Sequence, residues 1–350
     1  MKILSIVGAR PQFVKAAVLS REIRKEHTEI LVHTGQHYDA NMSAIFFKDL
    51  EIPEPDYNLE IGSGTHGQQT GAMLAAIEEV LMKEIPDWVI VYGDTNSTLA
   101  GALAAKKLHL KVAHVEAGLR SFNRQMPEEI NRVLTDHISD LLFCPTQTAV
   151  QNLEDEGIKQ GVHLVGDLMQ EGLLWALQKT RSTSTIIDQL SIQPKKYLLV
   201  TVHRAENTDD PIRLKHILEA FNSINDQLVW PIHPRTRKKL DEINWQPLSH
   251  IKLIEPLGYV DMVILEKNAR MILTDSGGIQ KEACWLGVPC VTLRDETEWV
   301  ETVKSGWNVL TGANTHDILK TVQNFANTLQ MTSGFEPVAR NIFQVIQMLN

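Results

Sequence analysis

The sequence predicts an α/β protein of two doubly wound, Rossmann-like domains facing each other across a cleft. Short apolar runs of strand length alternate with longer amphipathic runs from end to end, the pattern of a parallel sheet covered by helices on both faces. Near residue 180 the alternation breaks: "TRSTSTIIDQLSIQPKK" is polar and β-branched and carries no clear strand, and the pattern restarts after it. At 350 residues the chain is long enough for two domains of ordinary size. The expected boundaries are 1–170 and 171–336, joined at about 168–195. A last helical stretch at roughly 337–349, within the segment 337–350, is expected to pack back on the first domain.

The first domain reads as buried strands at 2–7, 29–33, 87–93, 111–115, 140–144 and 162–166, with helical stretches at 11–26, 67–84, 95–107, 127–138 and 146–156. "VGARPQFVK" follows the first strand. Gly8 permits a tight turn and Pro11 suits the first position of a helix. Arg10 then stands at a helix N-terminus, where phosphate is favourably placed, and Lys15 lies about one turn further on. "GSGTHG" (62–67) matches G-x-G-x-x-G but follows "YNLEI", a poor central strand, so it reads as a lead-in to the next helix rather than a dinucleotide fingerprint. Asp94 comes straight after the third strand, Glu116 ends the fourth, and Glu128 falls in the first turn of the following helix. Each has a structural explanation alone, as an N-cap or a dipole partner. Three carboxylates at neighbouring strand ends also suit acid/base chemistry, because mutual repulsion can raise one pKa.

The second domain restarts with strands at 197–203, 228–233, 251–255, 270–275 and 289–293. His203 and Arg204 end its first strand, a placement that suits a phosphate contact as well as a structural role; His233 and Arg235 repeat the theme less sharply. "LTDSGGIQKEACWLGVPCV" (273–291) is the most specific local signal. Ser276, Gly277 and Gly278 lie between a strand and a helix and can offer backbone N–H groups and a hydroxyl to a diphosphate. Glu282, one turn in, is placed to take ribose hydroxyls. Arg294, after the next strand, can face a carboxylate or phosphate. No G-x-x-x-x-G-K-[ST] loop is present, which argues against an NTP-hydrolysing P-loop.

Composition narrows the classes further. With 43% hydrophobic and 22% charged residues the chain is typical of soluble globular proteins. A net charge of −9 argues against general nucleic-acid binding, yet local cations can still hold an anion. Cys144, Cys284 and Cys290 form no CxxC pair or metal spacing and read as reduced core residues. The first apolar run, "ILSIV", is too short for a signal-peptide core, and no run approaches the roughly 20 residues of a membrane span. The expectation is a cytoplasmic protein without membrane, metal or NAD.

Taken together, "GARP" with Lys15, "GDT", "HVEAGLR", "MPEEINR", "HRAE", "TDSGGIQKEA" and "LRDETE", in that order, resemble the non-hydrolysing UDP-N-acetylglucosamine 2-epimerase family over nearly the whole chain. The resemblance implies GT-B architecture, a homodimer and no cofactor. It implies a UDP-sugar substrate epimerised at C2 by elimination and re-addition of UDP through a glycal, feeding bacterial surface polysaccharide synthesis. By the same resemblance Arg10, His203, Ser276, Gly277 and Gly278 hold the diphosphate, Glu282 holds the ribose, and Asp94, Glu116 and Glu128 are the acid/base carboxylates near the sugar, with Lys15 close by. The expected catalytic set is Asp94, Glu116, Glu128 and His203; the expected binding set is Arg10, Lys15, Ser276, Gly277, Gly278, Glu282 and Arg294. Two departures bear on the sugar. "TEWVE" (297–301) stands where many members read Thr-Glu-Arg-Pro-Glu, and at the second-substrate site of some bacterial members only Gln36 persists, against Asp39 and Met73. "HRAEN" and "RDETEWVE" look more like relatives acting on UDP-2,3-diacetamido-2,3-dideoxy-glucuronate. A GT-B glycosyltransferase, a hydrolysing epimerase and a nucleotide-sugar sensor are the rival readings.

Overall fold

The structure is a computed structural model that describes residues 1–36, 50–180, 184–325 and 337–349, the side chains of Arg10 and Thr180 excepted. It divides into two compact units, Met1–Leu174 with Gly334–Asn350, and Trp175–Ser333.

The first unit is built on β1 (Lys2–Val7), β2 (Thr28–His33), β3 (Tyr57–Asn58), β4 (Trp88–Tyr92), β5 (Lys111–Val115), β6 (Leu141–Cys144) and β7 (Val162–Leu164). Among the described residues these form one sheet in the order β3-β2-β1-β4-β5-β6-β7, parallel throughout. The apolar runs form central strands because both faces are covered: every residue of β4 and β6 is buried. Leu4, Ile6, Val89 and Val91 meet Met73 and Ile77 of the helix His66–Glu84 and the small residues of the helix Asn96–Lys107. The latter lies close to the sheet, so that a Cβ on Gly101 would stand 2.6 Å from Ile6 Cδ1. Helix Val338–Met348 packs on helix Arg10–Ile23 of this unit. Its Val338, Ala339, Ile342, Phe343 and Ile346 are buried, and the Ala339 N–H donates to Glu171 Oε2 at 3.0 Å.

The second unit carries β8 (Tyr197–Thr201), β9 (Gln227–Pro231), β10 (Ile251–Ile254), β11 (Met271–Thr274), β12 (Cys290–Thr292) and β13 (Asn308–Leu310). They pair in the order β10-β9-β8-β11-β12-β13, again all parallel. Counted within this unit, that order is the doubly wound 3-2-1-4-5-6. The first unit repeats it with one strand added at the edge. In each case the order reverses beside the first strand, at β1/β4 and at β8/β11. Ligands of such sheets collect at the carboxyl ends of these strands.

Two strands escaped the sequence pattern for a physical reason. β3 has only two residues at a sheet edge, and β13 has three, of which Val309 is exposed, so neither makes an apolar run. The stretch read as a linker is partly helical, with helices Leu168–Thr180 and Ile186–Gln189.

Candidate active site

At the switch point of the first sheet, Gly8 follows β1 and approaches its neighbours closely: an added Cβ would lie 2.2 Å from Ser97 Oγ. Gln12, on the first turn of the next helix, holds this turn to the end of β4. Its Oε1 accepts from the Gly8 and Ala9 N–H groups at 2.7 and 3.0 Å, and its Nε2 donates to the Tyr92 carbonyl at 2.6 Å. Pro11 occupies the second helical position of Arg10–Ile23, one later than the sequence suggests. The Arg10 side chain lies outside the described residues.

Lys15, almost wholly buried, forms an ion pair with Glu116, whose side chain is 11% exposed. Glu116 has φ +74°, the left-handed region that costs an L-residue about 1–2 kcal/mol. Backbone hydrogen bonds hold it there. The Glu116 and Ala117 N–H groups both donate to the Phe143 carbonyl, at 3.0 and 3.1 Å, and the Gly118 N–H donates to Asp136 Oδ2 at 3.1 Å. Gly93, at φ +62°, leaves room for the carboxylate. A Cβ there would stand 3.2 Å from Glu116 Oε2 and 3.6 Å from Lys15 Nζ.

Beneath this turn runs a buried ionic chain. His114 Nε2 donates to the Gly93 carbonyl at 2.7 Å, and His114 Nδ1 meets Asp136 Oδ1 at 2.7 Å. The ring thus bridges the end of β4 and the buried Asp136 carboxyl. Arg120 donates to Asp136 at 2.7 Å and to both Glu156 oxygens at 2.6 and 2.8 Å. Burial works to raise the Asp136 carboxyl, but His114 and Arg120 outweigh it and hold it below the usual carboxylate range.

Asp94 pairs with Arg132, which also donates to Glu129 at 2.9 Å, so the helix Pro127–Ile138 is tied to the end of β4. Glu129 is buried and accepts from the Ser121 and Phe122 N–H groups, both at 2.9 Å, so it braces the loop. Glu128, one residue earlier, is half-buried and has no hydrogen-bond or ion-pair partner among the described residues. Neighbouring acids thus separate into a brace and a free carboxyl. Of the carboxylate trio, two have cationic partners rather than facing one another alone, a neutralisation that the repulsion argument did not include.

Met73 belongs to the core, and Gln36 Oε1 accepts from the Ser97 hydroxyl and N–H at 2.6 and 3.0 Å; Asp39 lies outside the described residues.

In the second unit, fully buried Asp275 at the end of β11 organises the end of β8. It accepts from the N–H groups of His203 and Arg204, with shortest distances of 3.0 Å each, and from Asn207 Nδ2 at 3.2 Å. His203 Nδ1 lies 3.2 Å from Asp275 Oδ1. Burial works to raise the Asp275 carboxyl, but His203, the Arg204 N–H and the Asn207 amide outweigh it and hold it below the usual range. The carboxylate thus orients the His203 ring through Nδ1, the arrangement by which a histidine presents Nε2 to a ligand.

Ser276 precedes the helix Gly277–Leu286, and its hydroxyl does not cap it. Glu282 is buried and accepts from the Tyr259 hydroxyl at 2.7 Å. Burial and then the charge of Glu282 push the carboxyl of Glu266, buried in the helix Tyr259–Asn268, well above its ordinary value. Arg294 is 1% exposed and contacts Glu298 at 3.0 Å. Lys281 lies 3.7 Å from the centroid of the Trp299 ring, so the aromatic residue of "TEWVE" meets a cation.

Asp275, Asp136, His114 and Gln12 are site-building residues that the motif reading passed over, although "TDSGG", "HVEAGLR" and "GARPQ" contain three of them. Among the described residues no His, Cys, Asp and Glu group could hold a metal ion, and no helix is long and apolar enough to cross a membrane.

A family model for UDP-N-acetylglucosamine 2-epimerase matches residues 21–345. A UDP-N-acetylglucosamine 2-epimerase homolog of Methanococcus maripaludis is 59% identical over 330 residues, covering 93% of this chain and 92% of its own. A UDP-2,3-diacetamido-2,3-dideoxy-D-glucuronate 2-epimerase of Pseudomonas aeruginosa is 55% identical, covering 89% of each. Among solved structures, the Methanocaldococcus jannaschii UDP-GlcNAc 2-epimerase in complex with UDP-GlcNAc and UDP superposes with a TM-score of 0.94 at 47% identity, covering 99% of this chain and 100% of that one. These matches agree with the α/β GT-B fold class, and the chain belongs to the UDP-N-acetylglucosamine 2-epimerase family, whose members are isomerases.

Proposed function

We propose that the protein epimerises C2 of a UDP-2-acetamido sugar, UDP-GlcNAc to UDP-ManNAc or a close derivative, without net hydrolysis. The observation that carries the reading is Glu116, held in a left-handed conformation at the end of β5, paired with buried Lys15 and lying against Gly93, the residue before Asp94. Strain of this kind persists where function requires the side chain's direction.

The chemistry accounts for these residue types. C2–H of a 2-acetamido sugar has no adjacent carbonyl to acidify it. Cleavage of the C1–O bond, with its electron pair leaving on UDP, gives oxocarbenium character at C1 and makes C2–H acidic. A carboxylate then takes the proton and a glycal forms. Proton return to the opposite face of C2 and attack of the UDP oxygen on C1 give the epimer. This requires stabilisation of a departing anion and positioned proton-transfer groups. In this reading Asp94, Glu116 and Glu128 handle protons. Lys15 holds Glu116 in place, and Arg10, His203 and the 276–278 turn hold the diphosphate. Glu282 takes the ribose and Arg294 an anionic group. The protein is further proposed to act as a cytoplasmic homodimer in surface polysaccharide synthesis, with functional domains dividing near residue 170.

A second reading, with UDP-2,3-diacetamido-2,3-dideoxy-glucuronate as substrate, is favoured by one local feature. "TEWVE" replaces the arginine-bearing form, and Trp299 packs against Lys281. The relative at 55% identity that bears that substrate's name supports it. NMR of the purified protein with a panel of UDP-sugars in D₂O tests both. One sugar should give its C2 epimer with deuterium at C2 and no acceptor present. Release of free sugar and UDP in step with turnover would show a hydrolysing enzyme, and no reaction on any 2-acetamido sugar would overturn the proposal.

A further inference from the structure

Arg294 stands at the start of the loop between β12 and the helix Val300–Lys304, with only 1% of its side chain exposed. Its Nε and both terminal nitrogens have no hydrogen-bond acceptor among the described residues. Among the described residues its ion contact is with Glu298, on the same loop, at 3.0 Å from Oε2. The other Glu298 oxygen reaches the neighbouring helix: a Cβ on Gly277 would lie 2.6 Å from Oε1. One carboxylate therefore lies against both a buried guanidinium and the first residue of a ten-residue helix whose first turn carries no acid and whose N-cap hydroxyl makes no capping bond. A helix N-terminus and a guanidinium side by side favour an anion. In this structure Glu298 is that anion.

We propose that Glu298 is a built-in competitor for the diphosphate, which takes Arg294 and the Gly277 end of the helix only as the Glu298 carboxylate turns away. This rests on the reading that the 276–278 turn holds UDP, and it adds what regulates affinity there. A doubly charged diphosphate and a carboxylate cannot share one cationic corner without strong repulsion. The carboxylate also gives the buried guanidinium a counter-charge, because an unpaired buried charge is strongly destabilising. The exchange of one anion for another weakens UDP binding and eases its release, without any change in the groups that perform proton transfer.

The test is calorimetric titration of UDP into the full-length protein and two variants. Glu298→Gln keeps the side chain's size and removes its charge; it should bind UDP about tenfold more tightly, a change of about 1.4 kcal/mol. Without UDP this variant should melt at a lower temperature than the parent, and saturating UDP should raise its melting point by more. Glu298→Asp leaves Arg294 a counter-charge but draws it back from Gly277; it should also tighten UDP binding, by a smaller factor, and it serves if the glutamine variant does not fold. Unchanged or weaker binding in a folded variant would overturn the inference and make Glu298 a ligand of UDP or a purely structural partner. A parent protein that binds no UDP would instead overturn the nucleotide site itself, and this inference with it.

Discussion

Replacing Glu116 with glutamine should damage stability and turnover together, and the two losses can be separated. The Lys15 side chain is 4% exposed and that of Glu116 is 11%. Removing one partner of a pair this enclosed takes a counter-charge from a buried ion, at a cost of up to about 3–5 kcal/mol. Glu116→Gln takes the counter-charge from the more buried group and should cost more; Lys15→Met takes it from a carboxylate with more access to water and should cost less. At about 2–4 °C per kcal/mol for a unit of this size class, Glu116→Gln should lower the first unit's melting temperature by roughly 10 °C or more. The double variant Lys15→Met/Glu116→Gln carries neither charge and should recover to within about 1–2 kcal/mol of the parent, with no recovery of turnover. On the Lys15→Met background, Glu116→Gly should be about 1 kcal/mol more stable than Glu116→Gln, because glycine relieves φ +74° while losing some chain entropy. Scanning calorimetry reads stability, and NMR of the nucleotide sugar reads turnover. A Glu116→Gln melt within about 2 °C of the parent, or a double variant no more stable than both singles, would refute the account of this pair.

Asp94→Asn and Glu128→Gln should keep the fold and lower turnover on the order of 100-fold or more, the scale of general acid–base groups; near-normal rates in both would remove them from proton transfer. Glu266 has its folded pKa raised above the unfolded value, so its contribution is full below about pH 4.3 and is lost as pH rises toward the folded value. Glu266→Gln should therefore stabilise the second unit at pH 8 more than at pH 5, and equal effects at both would refute the linkage. Asp136 and Asp275 have depressed folded values, so their stabilisation is present above the unfolded value near pH 3.9 and is lost as pH falls through the folded values. Melts of Asp136→Asn and Asp275→Asn should be weaker than the parent at pH 7, with the gap closing under acid; a gap independent of pH would mean packing, not charge, is at fault.

The fold class was legible because both faces of each sheet are covered, which forces continuous apolar runs such as those at 88–92 and 197–201. Two of the edge strands, β3 and β13, were not, since a strand of two or three half-solvated residues needs no such run. The carboxylates could be nominated from position after strand ends. The family resemblance places Lys15 close to them, but the individual pairs were not legible, because Lys15 and Glu116, or Arg132 and Asp94, meet only after the sheet order brings β1, β4 and β5 side by side. Glu128 and Glu129 look interchangeable in sequence, and helix geometry makes one a brace and leaves the other unpartnered. The role of Asp275 is not legible in its motif, because its work is done on the backbone of residues 203 and 204, a contact that β8–β11 pairing creates.

The helix Val338–Met348, built from nearly the last residues of the chain, belongs to the first unit, so the second unit is in effect an insertion. During synthesis the residues Trp175–Ser333 all emerge before that helix does. At about 5–20 residues per second, the interval is roughly 10–30 s. Throughout it, helix Arg10–Ile23 lacks the cover that helix Val338–Met348 supplies. Helix Arg10–Ile23, made early, therefore gains the cover of helix Val338–Met348 only after the whole of Trp175–Ser333 has been synthesised.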